Sequence, residues 1–306
     1  MIIKGILIST LAPFENHKAN GGEKLLGNAS SVKRRPDGRV YISGQMQRHV
    51  LFSTIKRLND SDGDKGDTFV SNGDGITNQI ENDLRADLGG FMHTSAGNYS
   101  GRRTAPLSVT PAIAMSESEV GRDLLVRIKT DPNGKEQALA TREFSQHDIM
   151  HMNFFLDVSE LSISKSFTYE NSFNISTGYF KHASEPERLR RAKLFLQATQ
   201  LMNDYANQAR NAVCGEPQEV LIVFDTVLSR KASRYYAASD QERRNILREL
   251  DERGARYFIG NDKTEVSVFC AYRDALTFLS STDNSLYDPS GNGKVVSFEQ
   301  AFGGSN

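Results

Sequence analysis

The stretch GNASSVKRRPDGRVYISGQMQRHV, residues 27–50, gathers the side chains best suited to holding an anion. Lys33, Arg34, Arg35, Arg39 and Arg48 stand there against one acid, Asp37. Asn28, Ser30, Ser31 and Ser43 are interleaved with them and can donate hydrogen bonds to phosphate oxygens. Val40, Tyr41 and Ile42 read as a strand, Ser43-Gly44 as a turn, and Gln45 to His49 as a first helical turn. A helix start carries free N–H groups and partial positive charge, and usually attracts carboxylates. This one has none and adds Arg48. Gly44 would let a ligand backbone approach those N–H groups. The pattern fits contacts to nucleic-acid phosphates, which position a strand without reading its bases. It equally fits a solvated charge run beside a turn, with Ser43 as an ordinary N-cap. Physics alone leaves both open. The spacing is neither a Walker loop nor a dinucleotide fingerprint.

Other chemistries find less support. His147 and His151 in SQHDIMH are four apart, but their setting reads as extended chain, where such residues stand too far apart for one tetrahedral zinc. VSNGDGITNQIE places Asp74, Gly75 and Glu81 at calcium-loop positions, yet Val70 would occupy the first ligand position. There is no Gly-x-Ser-x-Gly, no local Cys–His pair and no paired carboxylates in an apolar setting. His17 or His49 beside arginines could cleave RNA by acid–base chemistry, but a histidine there is more often a hydrogen-bonding contact. The expectation is a protein with no catalytic residue, metal or cofactor.

These residues must be held by a polar globular chain. The 306 residues are 38% hydrophobic and 25% charged, with a net charge of -1. The chain is no bulk polycation, so nucleic-acid binding would rest on a local patch. Cys214 and Cys270 make neither a metal spacing nor a disulfide framework, and no segment is apolar enough to span a bilayer. A cytoplasmic protein is expected. Residues 2–12 read as a strand leading into a loop of roughly 25 residues, far beyond the usual ~4–6. A helix from about 44 to 58 carries Met46, Val50, Leu51, Ile55 and Leu58 on one stripe. Residues 60–88 are acidic and glycine-rich, as in a surface insertion, and a basic-aromatic loop with Tyr99, Arg102 and Arg103 follows. Residues 123–151 turn at DPNG as a projecting hairpin. Ser184 and Glu187 form a capping-box pattern for a helix to about 212, and Ser239 and Glu242 another for a helix to about 253. EVLIVFDT (219–226) and EVSVFCAY (265–272) read as strands. The order predicts an α+β fold of the split β-α-β type, with helices on one face of a mainly antiparallel sheet.

GNASSVKRRPDGRVYISGQMQRHVLFSTI also resembles a known family, the Cas seven (DevR-like) backbone subunit of type I CRISPR effector complexes, in the RAMP superfamily. The family has a glycine-flanked basic loop, a strand ending Ile-Ser-x-Gln and a helix with an early basic residue. Gly27-Asn28, Lys33, Arg34, Arg39, Ile42-Ser43-Gly44-Gln45 and Arg48 match this pattern. GGFMHTS, RTAPLSVTPAIA and REFSQHDIMHMNFFLDVSEL follow in family order, so the resemblance covers about residues 1–226. It implies one hand-shaped domain over 1–306. Its palm, like an RNA-recognition motif (RRM), would comprise about 1–58 and 149–272, with fingers and web at about 59–122 and a thumb hairpin at about 123–151. The implied RNA contacts are Asn28, Ser31, Lys33, Arg34, Arg39, Ser43, Gly44, Gln45, Arg48 and His49, with Arg102 and Arg103 near RNA or a displaced strand. The implied partners are a guide crRNA, target DNA through guide pairing, further copies of the chain, and Cascade subunits of the Cas five, Cas eight and Cas six families. Relatives that cut RNA use an aspartate in the first loop; Asp37, in a Pro-Asp-Gly turn, reads as structural. An endoribonuclease of the same superfamily and a DevR-like protein-interaction module are the rival functions.

Overall fold

The computed structural model describes residues 1–24, 30–73, 77–92, 102–131, 134–291 and 293–302. Its elements alternate along the chain: β1 (Ile2–Ile3), β2 (Gly5–His17), β3 (Gly21–Lys24), β4 (Ser30–Val32), β5 (Tyr41–Ile42), α1 (Gly44–Ser61), α2 (Leu84–Gly89), β6 (Phe91–Met92), β7 (Arg102–Arg103), β8 (Leu107–Val109) and β9 (Ala112–Ala114). The long strands β10 (Val120–Asp131) and β11 (Gly134–Asp157) follow, then β12 (Ile163–Glu170), β13 (Phe173–Lys181) and α3 (Glu185–Gln200). The last part holds β14 (Glu219–Asp225), α4 (Asp240–Glu252), β15 (Arg256–Asn261), α5 (Val268–Ser280), β16 (Ser285–Leu286) and α6 (Phe298–Phe302).

The main sheet runs β15-β14-β2-β11; the far edge of β11 takes β8, β9 and β10 at successive heights, and β4 pairs at Arg142 on the side of β2, beyond its end. Its long pairs are antiparallel: Phe154 faces Ile8 in β2, and Ile222 faces Ile8 from β14. Alternation divides the strands between two cores. Ile6, Ile8, Phe14, Met150, Met152, Phe154, Ile222 and Phe224 point to one face, where α1 brings Val50, Leu51 and Ile55, α3 brings Phe195, and α5 brings Tyr272 and Leu279. Each fully buried aliphatic or aromatic side chain contributes about 1.5–3 kcal/mol. On the other face Leu7, Phe155, Leu221 and Val223 pack under Tyr236 of a 3-10 turn and Ile246 and Leu250 of α4. Helices therefore cover both faces rather than one.

Several elements depart from the sequence expectations. EVSVFCAY is not a strand: Ser267 accepts from the Cys270 N–H and opens α5, which buries Val268, Ala271, Tyr272, Ala275 and Leu279. The helix starting at Glu185 stops at Gln200 rather than near 212. Ser184 makes no side-chain cap bond, and the Glu187 carboxylate, which a capping box would turn back to the Ser184 N–H, is drawn instead to Arg190 and Arg191. The capping box at Ser239 and Glu242 does form. The long first loop includes the strands β3 and β4, and β12–β13 is a second hairpin whose Tyr169, Phe173 and Ile175 are exposed.

The acidic insertion is not simply surface. Asp87 in α2 is fully buried between Arg103, at 2.8 Å, and Arg191 of α3, at 2.7 Å. It also accepts from the Ser162 N–H and hydroxyl. Burial alone would raise this carboxyl, and the two guanidiniums outweigh it, holding the group below the ordinary range.

Candidate nucleic-acid interface

The basic loop is built onto the base of the β10–β11 hairpin. Ser30 of β4 pairs with Arg142 of β11. The segment after β4 folds back on itself, with Arg34 bridging Val40, and the Gly38 N–H donating to the Arg35 carbonyl. Gly38 sits at φ 79°, where a Cβ would also lie 2.8 Å from Glu117, so a tight left-handed turn presents the arginines. A nearly buried carboxylate organises them. Glu143 accepts from the Val32 N–H at 3.2 Å and from Arg122 Nε and Nη2 at 3.2 and 3.1 Å, and lies 3.7 Å from Arg34 Nη2. The Arg34 and Arg122 side chains remain 42% and 69% exposed. Lys18 is buried beneath, donating to the Ser30 carbonyl and hydroxyl; burial and then Arg142 lower its pKa.

A buried chain of polar groups ties this loop to the sheet. The Val40 N–H donates to Ser118 Oγ, Ser118 Oγ donates to Asp148 Oδ1 at 2.5 Å, and Asp148 Oδ2 meets His17 Nε2 at 2.6 Å. Asp148 stands between the serine and the histidine, and His17 is 0% exposed. The group therefore holds β2, β11 and the strand before α1 in place and cannot deliver His17 to an RNA hydroxyl. Asp37 is exposed but engaged: Arg39 grips it through Nε at 2.8 Å and Nη2 at 2.7 Å, and Arg35 lies 3.6 Å away. Arg39 holds Asp37 down from the ordinary carboxyl value.

The expected contact residues separate into three groups. Lys33, Arg34, Gln45 and His49 lie at or near the surface around the basic loop and the start of α1, with Ser31 half-buried in β4. Arg39 belongs there too, although its guanidinium is shared with Asp37. Ser43 acts as the N-cap, accepting from the Met46 N–H at 3.2 Å, and leaves the first-turn N–H groups unopposed by acid. Gly44 has a structural reason for lacking a Cβ: one would lie 3.2 Å from the Val109 carbonyl.

Two residues turn inward, away from the open patch. Arg48 turns along α1 rather than outward; Nη2 donates to the Gly89 carbonyl and the guanidinium lies over Phe52, 5.5 Å from the ring centre. Burial lowers its pKa. Arg103 is 3% exposed at its side chain and bonds Asp87 and the Ala86, Asp87 and Glu160 carbonyls, so its guanidinium acts as an internal strut. Asn28, Asp74, Gly75 and Tyr99 lie outside the described residues, as does the side chain of Arg102. Sequence reading missed Arg122 and Arg142, which a register count back from the DPNG turn places opposite Glu143 and Asp123. His147 and His151 do lie on a strand; His147 pairs with Glu15 at 2.5 Å and His151 bonds Ser9 at 3.1 Å. Among the described residues no three His, Cys, Asp or Glu side chains gather as a metal site, and no helix is long and apolar enough to cross a membrane.

A family model described as CRISPR-associated negative auto-regulator DevR/Csa2 matches residues 13–212. A solved chain described as part of a CRISPR RNA-guided surveillance complex is similar in fold, with 16% identity and a TM-score of 0.52, covering 90% of this chain and 99% of that one. A second, from such a complex described as pre-nicking, has 13% identity and a TM-score of 0.48 over the same shares. No curated protein matches.

Proposed function

The chain belongs to the CRISPR-associated DevR/Csa2 family, and from that premise we propose that it is the guide-RNA-binding backbone subunit of a type I CRISPR surveillance complex. Copies stack head-to-tail along the RNA, hold its backbone and leave guide bases free to pair with target DNA. Delegating sequence to base pairing requires a protein that grips phosphates and sugars without reading base edges.

The observation that carries this reading is the cluster of Lys33, Arg34, Arg35, Arg122 and Arg142 at the base of one hairpin, in a chain of net charge -1. Glu143 holds two of these cations in place while leaving them exposed. The strand order β14-β2-β11-β8/β9, with α1 after β2 and α3 after β11, supports an RRM-like palm. The aromatic-bearing face such a motif uses for stacking is partly covered here by α4, which favours backbone holding over base stacking. In this reading β10 and the outer half of β11 form the thumb, and residues 59–122 supply fingers and web.

We assign no catalysis to it. The enclosure of His17 and the engagement of Asp37 by two arginines favour a binding role over cleavage. The test is to express the chain with a guide precursor and sequence the RNA that copurifies. The expected outcome is enrichment of guide RNA, lost in Lys33→Glu with Arg34→Glu while the monomer keeps its melting temperature. Undiminished RNA in that variant would remove the patch from the function.

A further inference from the structure

Between Asp225 at the end of β14 and Asp240 at the start of α4, the chain carries Arg230, Lys231 and Arg234 and no acid. Residues 226–256 together hold eight Lys and Arg against five Asp and Glu, an excess of three positive charges in a chain of net charge -1. The first part folds as the 3-10 turn Lys231–Ala237, whose Ala232 and Tyr236 are buried against the sheet face that α4 covers. The turn is fixed from several sides. Arg243 of α4 donates from Nε to the Tyr235 carbonyl at 3.0 Å and from Nη2 to the Tyr236 carbonyl at 3.2 Å. Lys231 is tied to Glu249 of α4, and the Arg230 guanidinium lies 4.5 Å from the centre of the Phe155 ring. What stays open is charge. Arg230 and Arg234 are exposed, and neither makes an ion pair with a described residue. Arg244, also exposed on α4, bonds the neutral Gln241 at 2.8 Å.

Exposed guanidiniums without a carboxylate partner suit phosphate oxygens, which they take in paired hydrogen bonds. Single strands are held by phosphate contacts together with aromatic rings on which the bases stack. The two rings of this turn are already engaged. Tyr236 is 4% exposed; Tyr235 stands edge-on to it with centroids 5.2 Å apart and takes the Arg243 guanidinium over its face at 5.6 Å. A duplex, whose bases already stack on one another, asks only for its phosphates to be met. The place is also separate from the basic loop. Arg142 and Phe155 lie thirteen residues apart on β11, roughly 40 Å along the strand, and the turn covers the sheet face away from α1. A second polyanion fits this arrangement better than a longer run of the first strand.

We propose that the exposed guanidiniums of this turn and of α4 form a second nucleic-acid surface, which holds double-stranded DNA by its phosphates without reading its sequence. The use of such a surface rests on the guide-binding reading, since a target reaches its guide as a duplex; the binding itself does not.

The probes are a short duplex DNA of unrelated sequence and a single-stranded oligoribonucleotide, each titrated with the full chain over a range of salt. One phosphate contact on B-form duplex contributes about -0.9 to the slope of log K against log salt. Arg230→Gln with Arg234→Gln is therefore expected to flatten the duplex slope by about 1.8, which at about 0.1 M salt is roughly a sixtyfold loss of affinity. Binding of the oligoribonucleotide should stay within about twofold. Lys33→Glu with Arg34→Glu should do the reverse. An unchanged duplex slope in the Arg230 and Arg234 variant overturns the proposal. So does a Lys33 and Arg34 variant that loses duplex and oligoribonucleotide affinity alike, because one patch then serves both. An unmodified chain that fails to bind duplex at low salt overturns it too, and its binding of the oligoribonucleotide then decides the guide-binding reading separately. Arg230 packs on Phe155, so a double variant that melts early is replaced by Arg234→Gln, whose side chain has no partner among the described residues. A slope flattened by about 0.9 there supports the surface, and an unchanged slope refutes it.

Discussion

Removing Asp87 is expected to cause a large loss of stability. The carboxylate is fully enclosed and joins three separate parts of the chain: Arg103 at the end of the insertion, Arg191 in α3, and the Ser162 N–H and hydroxyl before β12. Asp87→Ala leaves two buried guanidiniums facing a void. Breaking a buried pair in this way costs about 3–5 kcal/mol. The lower end applies, because Arg191 keeps Glu187 at 2.7 Å and the Ile80 carbonyl, and Arg103 keeps its backbone carbonyls. For a chain of 306 residues about 3 kcal/mol lowers the melting temperature by roughly 5 °C. Thermal denaturation followed by circular dichroism at pH 7 measures it. The same site has a pH signature. A carboxyl whose folded pKa is depressed contributes stability that is present above its unfolded value and lost as pH falls through the folded one. The unmodified chain should therefore lose stability below about pH 4, and Asp87→Ala should lose less there. A variant melting within about 1 °C of the unmodified protein would refute the view that the insertion is anchored through this carboxylate.

Three further outcomes follow from particular contacts. His182 bonds the Val296 carbonyl at 2.8 Å and Ser164 Oγ at 2.9 Å, and burial pushes its pKa down to about 4. Unfolding then takes up a proton between pH 6.5 and about 4, so stability falls as pH drops through that window, by at most roughly 3 kcal/mol at its acid end. His182→Gln should flatten this slope in melts from pH 7 to 4.5. Gly38→Ala forces a Cβ into a left-handed turn against Glu117; a loss of about 1 kcal/mol or more is expected in urea unfolding, with weaker RNA binding because the turn presents Arg35 and Arg39. Glu143→Gln removes the charge shared by Val32, Arg34 and Arg122 and turns one of its two acceptor oxygens into a donor; phosphate affinity should rise at low salt as a carboxylate charge leaves the patch, while the melting temperature falls.

What the sequence disclosed depended on how local the signal was. Ser43 capping α1, the Ser239–Glu242 box and the DPNG-turned hairpin are set by residues within a few positions of one another, and all were legible. The hairpin register was also available in principle: Asp131 opposite Gly134 places Arg122 opposite Glu143 by counting. EVSVFCAY misled because its β-branched residues favour a strand, whereas the apolar spacing from Val268 to Leu279 that marks a helix extends past it. Glu187 could not be assigned from its position, since two arginines on the same helix compete with the backbone for it. Asp87 and Arg103 were least legible. An acid in a glycine-rich acidic run and an arginine in a basic loop look like surface residues until the fold brings them together with Arg191, more than a hundred positions from Asp87. The same fold turns Arg48 away from the open patch, which no helical periodicity could announce.

The central claim is that a local basic surface holds a single strand by its phosphates. The most direct measurement is the salt dependence of binding to a single-stranded oligoribonucleotide, compared between the unmodified chain and Lys33→Glu with Arg34→Glu. Each phosphate neutralised on a single strand contributes about -0.7 to the slope of log K against log salt, so losing two contacts should flatten the slope by about 1.4. A flattened slope with an unchanged melting temperature is the predicted result. Equal slopes for the two proteins, or no affinity for RNA at low salt, would contradict the account.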